Sequence, residues 1–271
     1  MHQSATLPKT FKQVMAESER TLIGVWLCSG STMVTEIAAG SGLDWLMIDG
    51  EHAPLSLETV QRQLQVAAAY SVTPVVRVPT NDKVIIKQYL DLGAQSLIVP
   101  MVNSAADAAD AVRALRYPPA GVRGVGAALS RGARWNRVDD YLHRANDELV
   151  SLVVQIESQQ AVENVTEIAA TDGVDGVFIG PNDLAASMGL LGQPGHPEVR
   201  ALMQQVVEAT RAVGKPVGIT EFNLDTAQSY VDAGLDFVLA GADVALLARS
   251  TEALASRFIP GGSQRPERAS Y

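Results

Sequence analysis

The sequence predicts an α/β protein of the (β/α)8 TIM-barrel class, and three observations lead there. Eight short, nearly continuous apolar runs alternate with helix-patterned segments along 271 residues, the pattern of parallel strands buried on both faces. The composition is 47% hydrophobic and 19% charged, which is enough apolar material for one sizeable core in a chain of barrel length. The strings GLDWLMID, GVDGVFIG and GLDFVLAG share a glycine and an aspartate ahead of an apolar run. They read as a recurring helix-to-strand turn, with glycine ending the helix.

Taken in order, the strands begin as LIGVWL at Leu22, WLMID at Trp45, PVVRV at Pro74 and SLIVP at Ser96. They continue as SLVVQIE at Ser151, DGVFIG at Asp175, PVGIT at Pro216 and DFVLAG at Asp236. The alanine-rich stretches 105–115 and 197–213 exemplify the intervening helices. A doubly wound open sheet is the alternative, but no GxGxxG follows the first strand, which weakens its dinucleotide-binding form. Residues 117–146 hold no clear strand and several glycines and arginines, and are expected to form a long functional loop with short helical pieces. No domain boundary is visible, so 1–271 reads as one barrel domain, with 261–271 as a loose, flexible tail.

The net charge of −9 disfavours nucleic acid as a partner, which would require a basic face. Cys28 is the only cysteine, so no intrachain disulfide exists; it is read as a small buried apolar side chain rather than a reactive thiol. No apolar run is long enough to span a membrane, and the N-terminal MHQSATLPKTFKQ lacks the apolar core of a signal peptide. A cytoplasmic protein acting on small molecules is the expectation.

In a barrel, the C-terminal strand ends build the active site. Here the second strand ends in Asp49-Gly50-Glu51-His52, the third carries Arg77, the fifth delivers Gln155 and Glu157, and the sixth runs into GPNDL with Asp183. Each has an ordinary structural use as well. Asp49 can accept backbone N–H groups of its loop, and Asp183 can cap a helix after Pro181. His52 can be a surface histidine, and Arg77, costly if unpaired inside an apolar strand, can serve a structural ion pair. Their shared location favours chemistry. Two carboxylates from consecutive strand ends are a typical protein share of a Mg2+ or Mn2+ shell. An arginine can stabilise developing oxyanion charge, and a histidine can move a proton at neutral pH. A helix start at GPNDL offers N–H groups to a carboxylate. These parts suit enolate formation from a 2-oxo acid. A Schiff-base aldolase would need a strand-borne lysine, and none of Lys9, Lys12, Lys83, Lys87 and Lys215 falls in a predicted strand.

The segments WLMIDGEHAP, PVVRVP, IKQYLDLGAQSLIVPMV, RYPPAGVRGVG, VVQIES and DGVFIGPNDLAASMG closely resemble the HpcH/HpaI aldolase family, over nearly the whole length from Phe11 to Phe258. The resemblance implies a metal-dependent class II pyruvate aldolase on a barrel, which cleaves 4-hydroxy-2-oxo acids such as 4-hydroxy-2-oxoheptanedioate to pyruvate and an aldehyde. It implies Glu157 and Asp183 as ligands of Mg2+, Mn2+ or Co2+, and Arg77 as the group that holds the pyruvate oxygen. His52 resembles the acid–base histidine acting through water, and Asp91, in YLDLGAQ, the aspartate that pairs with it. The backbone at Asn182 and Asp183 would hold the pyruvate carboxylate, Gln155 would line the site, and Asp49 and Glu51 would shape the surrounding loop. A homo-hexamer, with the final helix across a subunit interface, is also implied. Three features depart from the family pattern: Asn182, Ser158 and the GITEFNLD stretch after strand seven, the last at a position able to alter acceptor preference. Arg123, Arg131 and Arg134 are candidates to grip a distal carboxylate, or else solvated loop arginines. Sugar-acid aldolases of the 2-dehydro-3-deoxyglucarate or 2-keto-3-deoxy-L-rhamnonate type, a citrate-lyase-like thioester lyase and a non-catalytic barrel remain as alternatives.

Overall fold

The computed structural model describes residues 4–260, so the expected tail at 261–271 lies outside the described residues. Eight parallel strands close into a barrel in sequence order. They are β1 (Leu22–Leu27), β2 (Trp45–Asp49), β3 (Thr73–Arg77), β4 (Ser96–Val99), β5 (Ser151–Ile156), β6 (Gly176–Ile179), β7 (Val217–Thr220) and β8 (Phe237–Ala242). Every predicted strand forms, each within one residue of its expected start. Alternation along the strands sorts their side chains into two cores. Outward-facing Leu46, Ile48, Val76, Leu97 and Val154 pack under the helices. Inward-facing Trp45, Met47, Val75, Ile98, Phe178 and Phe237 fill the barrel.

The helices that matter for the site are α2 (Thr32–Ala39), α3 (Leu57–Ala67), α4 (Lys83–Asp91), α5 (Ala105–Leu115), α9 (Pro181–Ser187), α11 (Leu224–Asp232) and α12 (Asp243–Phe258). One helix escapes the sequence pattern, α1 (Phe11–Glu17). It stoppers the barrel at the end where the strands begin. The Phe11 ring meets Trp45 and Phe237 at centroid distances of 5.0 and 5.2 Å. The free N–H groups of its first turn are satisfied by the barrel itself: Phe11 N donates to Ser96 Oγ at 2.8 Å and Lys12 N to Ser151 Oγ at 3.2 Å. Seven residues with two buried side chains carry too little periodicity to be seen alone.

The 117–146 segment differs from its expectation. It has a 3-10 turn at Ala127–Leu129, α6 (Tyr141–Arg144) and a π turn at Ala145–Leu149. Because it joins α5 to β5, it lies at the stoppered end, opposite the strand C-termini, and forms its own small apolar cluster around Tyr117, Val138 and Tyr141. It is a packed structural segment there and lines no part of the barrel mouth in its own chain.

The three Gly-x-Asp turns have one physical explanation. Gly42, Gly173 and Gly234 adopt φ of 92°, 94° and 72°, the left-handed conformation that glycine tolerates best at a helix end. Two residues on, each aspartate accepts a 2.8 Å hydrogen bond from a backbone N–H of the preceding strand: Asp44 from Ile23, Asp175 from Leu152 and Asp236 from Val217. Each carboxylate therefore ties the entry of its own strand to its neighbour. Replacing Asp236 with alanine should strand the Val217 N–H and lower unfolding stability by about 1–3 kcal/mol in urea denaturation, with Asp236→Asn recovering most of it. An Asp236→Ala midpoint equal to that of the parent chain would contradict this role.

Candidate active site

The site is built where β2, β3, β5 and β6 end. Asp49 and Arg77 are the last residues of adjacent strands and are paired in register. Their side chains are nearly inaccessible, at 3% and 6% exposure, and Arg77 Nε donates to Asp49 Oδ1 at 2.9 Å. The same Asp49 oxygen accepts the Glu51 N–H at 3.0 Å and the His52 N–H at 3.4 Å. Asp49 therefore holds the loop, as expected of it, and orients the arginine as well. Arg77 Nη1 makes a second ion pair with Glu51 Oε2 at 2.9 Å, and the guanidinium lies 4.2 Å over the Trp26 ring. Trp26 is held in turn, its Nε1 donating to Thr220 Oγ1 across the barrel at 3.1 Å.

Glu157 follows β5 and is buried. Its Oε1 accepts the Met101 N–H at 2.6 Å, from a backbone at the left-handed φ of 54°, and its Oε2 accepts from Gln155 Nε2. Burial pushes the Glu157 carboxyl up to about 7; the Met101 N–H opposes this, and the Asp183 and Glu51 charges add to it. Glu51 is raised for similar reasons, burial first, with Arg77 and His52 opposing and Asp49 and Asp183 assisting. Gly180, which precedes α9, has to be glycine: a Cβ there would sit 2.9 Å from both Gln155 Nε2 and Glu157 Oε2. Asp183 is an exposed residue in the first turn of α9, and Asn182 beside it is partly exposed.

A cavity of about 590 Å3 opens at this mouth, and Asp49, His52, Arg77, Gln155, Asn182 and Asp183 all line it. His52 reaches it from an exposed loop position, with Glu51 its nearest charged neighbour at 3.9 Å. One expected residue is not brought in. Asp91 ends α4 at the opposite face, and its carboxylate pairs with Arg123 Nη2 at 3.2 Å. Within one chain Asp91 and His52 do not meet. The three loop arginines are likewise absent from the mouth. Arg123 is buried against Tyr117, 4.5 Å from its ring. Arg131 donates to the Leu92 and Leu64 carbonyls, and Arg134 to the Arg131 carbonyl. Arg123 and Arg131 are buried and secure the long segment and helix ends, Arg134 is partly exposed, and none of the three lines the cavity.

Sequence reasoning missed the other wall of the cavity, which includes Trp26, Phe178, Thr220, Phe222 and Val244. Cys28 also lines it and is only half-buried, so the expectation of full burial is corrected. Burial first, then the Asp49 and Asp243 charges, push its thiol up to about 12, which keeps it protonated and unreactive. The Trp26-x-Cys28 spacing at the end of β1 and Phe222 just after β7 were the available signal.

A closed parallel barrel with convergent carboxylates, an oriented guanidinium and a histidine at its C-terminal mouth defines a barrel enzyme of acid–base chemistry. Residues 22–250 match the HpcH/HpaI aldolase/citrate lyase family. A 4-hydroxy-2-oxo-heptane-1,7-dioate aldolase of Salmonella dublin is 51% identical over 252 residues, 93% of this chain and 95% of that protein. Its namesake from Escherichia coli is 52% identical over the same shares. The crystal structure of an HpcH/HpaI aldolase/citrate lyase family protein from Burkholderia cenocepacia matches with a TM-score of 0.86 at 41% identity, covering 91% of this chain and 97% of that one. The chain belongs to the HpcH/HpaI aldolase/citrate lyase family, and so to the carbon–carbon lyases.

Members of this family are generally dependent on a divalent ion, and the donor set at the mouth suits one. The Asp183 charge raises the proton affinity of both Glu51 and Glu157, and Glu51 adds to that of Glu157; Arg77 opposes this at both, and His52 at Glu51. Gln155 Oε1 is buried with no hydrogen-bond partner. An excess of oxygen donors over positive charge fits a hard cation. Among the described residues, no three His, Cys, Asp or Glu side chains group to enclose one.

Proposed function

We propose that this chain is a divalent-metal-dependent class II aldolase that cleaves 4-hydroxy-2-oxo acids, such as 4-hydroxy-2-oxoheptanedioate, to pyruvate and an aldehyde, and runs in reverse. The observation that carries the reading is the Arg77 guanidinium, fixed by Asp49, Glu51 and Trp26 beside the carboxylates of Glu157 and Asp183. A bound Mg2+, Mn2+ or Co2+ would be held by Glu157 and Asp183 and would act as a Lewis acid toward the 2-oxo acid. Arg77 has Nε and Nη1 committed to carboxylates, which sets its plane and leaves Nη2 to meet the oxygen on which enolate charge develops. Gln155 and the first turn of α9 border the pyruvate end. His52 takes the proton from the 4-hydroxyl in cleavage and returns it in synthesis. No helix among the described residues is long and apolar enough to cross a membrane, and the reading carries with it a cytoplasmic setting and no nucleic-acid partner.

We also read the chain as a homo-hexamer. Along the whole of α12 only Asp243 is buried, while Leu246, Leu247, Leu254 and Phe258 are 58–70% exposed. A helix that leaves so many large apolar side chains unburied calls for a neighbour. Asp91 enters the mechanism only through such a neighbour, since its own His52 lies at the other face.

Chelation should abolish pyruvate release, and Mg2+ or Mn2+ should restore it, while borohydride with pyruvate traps no adduct. Full activity in metal-free protein, or a trapped lysine adduct, would refute the mechanism.

Arg77→Ala should slow every reaction that passes through pyruvate enolate, including oxaloacetate decarboxylation, by on the order of a hundredfold to a thousandfold. His52→Ala should damage aldol cleavage most, because decarboxylation needs no base at a 4-hydroxyl. The readout is the ratio of the two reactions in each variant, with metal content checked. Equal loss of both in His52→Ala, with neither lost in Arg77→Ala, would reverse the assignment.

Light scattering should return six chains per particle. A fully active monomer would end both the assembly reading and the part given to Asp91.

A further inference from the structure

A second cavity, of about 420 Å3, lies at the stoppered end of the barrel. The segment that leads into α1, from Thr6 to Lys9, forms one wall. Leu64 and Ala67 of α3, with Val72 and Pro74 at the entry of β3, supply apolar lining. Arg131 and Arg134 reach the cavity from the long segment after α5.

The charge around this cavity has one sign. Its lining includes Lys9, Arg131 and Arg134, and none of the chain's 30 acidic residues. Lys9 is answered from outside the cavity by Glu17. Arg131 is only 8% exposed, yet it gives its hydrogen bonds to the Leu92 and Leu64 carbonyls at 3.1 and 3.4 Å. Arg134 gives one to the Arg131 carbonyl at 2.7 Å. Among the described residues neither guanidinium has a carboxylate partner, and most of the N–H fork of each is unused.

The two cations also crowd each other. A Cβ at Gly93 would press on Nη1 of both. Burial pushes the Arg131 guanidinium down to about 10, and the charge of Arg134 adds to the fall. A buried guanidinium that faces a second cation and no carboxylate is costly, and an anion seated between the two would offset the cost. Two forks call for two negative charges, and the apolar lining calls for a short carbon body between them.

We propose that this cavity is a binding site for a small organic dianion of the dicarboxylate class, held by Arg131 and Arg134 with its methylenes against Leu64, Ala67 and Val72. The site lies at the end opposite the catalytic mouth and does not depend on the aldolase reading. Its ligand is no reactant. By bridging the arginines and the 6–9 segment, it fastens the lead into the α1 stopper to the barrel. A carboxylate of a neighbouring subunit would supply the same chemistry, and the test separates the two sources.

The probe is glutarate, titrated calorimetrically into the whole assembled protein. A Kd of about 1 mM or below is expected, with no heat from 1,5-pentanediol, which has the same length and no charge. Arg134→Gln should weaken glutarate binding by about tenfold. Thr6→Glu, at an exposed position of the wall, sets a carboxylate in the ligand's place and should weaken it by about tenfold or more. Glutarate should raise the Tm of the wild-type protein, while Thr6→Glu without glutarate should already melt above it. Any glutarate bound at the mouth is read separately, as inhibition of oxaloacetate decarboxylation, and that inhibition should be the same in both variants. Absence of binding to the wild-type protein, or equal binding by both variants, overturns the proposal. So does a crystal structure of the assembly with a carboxylate of the partner subunit seated between Arg131 and Arg134.

Discussion

The buried pairing of Asp49 with Arg77 is the contact on which the rest of the mouth depends. A guanidinium and a carboxylate at 6% and 3% exposure both lose most of their hydration, and such a pair is no guarantee of stability. Its value is geometric. One carboxylate oxygen receives the arginine and two backbone N–H groups of the loop that carries Glu51 and His52. The strand register that sets Asp49 opposite Arg77 thereby also decides where the histidine stands. Removing Asp49 would leave Arg77 buried with Glu51 alone and would free the two loop N–H groups, while removing Arg77 would leave Asp49 charged and buried with only those N–H groups.

Around that pair the mouth holds more negative charge than its cations balance. Glu157 is pushed up to about 7, chiefly by burial, in a place where folding alone would favour an apolar or neutral residue. Gly180 keeps even a methyl group away from it. A crowd of carboxylates held against their own repulsion is an environment that favours a hard cation.

The other end of the barrel has no such excess of negative charge. Phe11 stoppers it, the three strand-entry aspartates tie neighbouring strands, and the long segment after α5 packs Arg123 between tyrosines. Stability and chemistry occupy opposite faces, as the barrel architecture provides.

Much of this was legible in one dimension. Eight apolar runs, a repeated Gly-x-Asp turn and polar residues at the ends of the second, third, fifth and sixth runs follow local rules of periodicity and turn geometry, so the barrel and the group Asp49, Glu51, His52, Arg77, Gln155, Glu157 and Asp183 could be read from order alone. Three things could not. The helix α1 is too short to announce itself, and only the barrel end it fills makes it worth forming. The apolar wall comes from β1, β7, β8 and the start of α12, residues nearly two hundred positions apart that barrel closure makes neighbours. Asp91 and Arg123 carry a familiar motif, yet the direction of α4 sends them to the far face. Spacing along a chain tells which residues share an element; which face of the barrel that element presents, and what stands across from it, is decided only when the sheet closes.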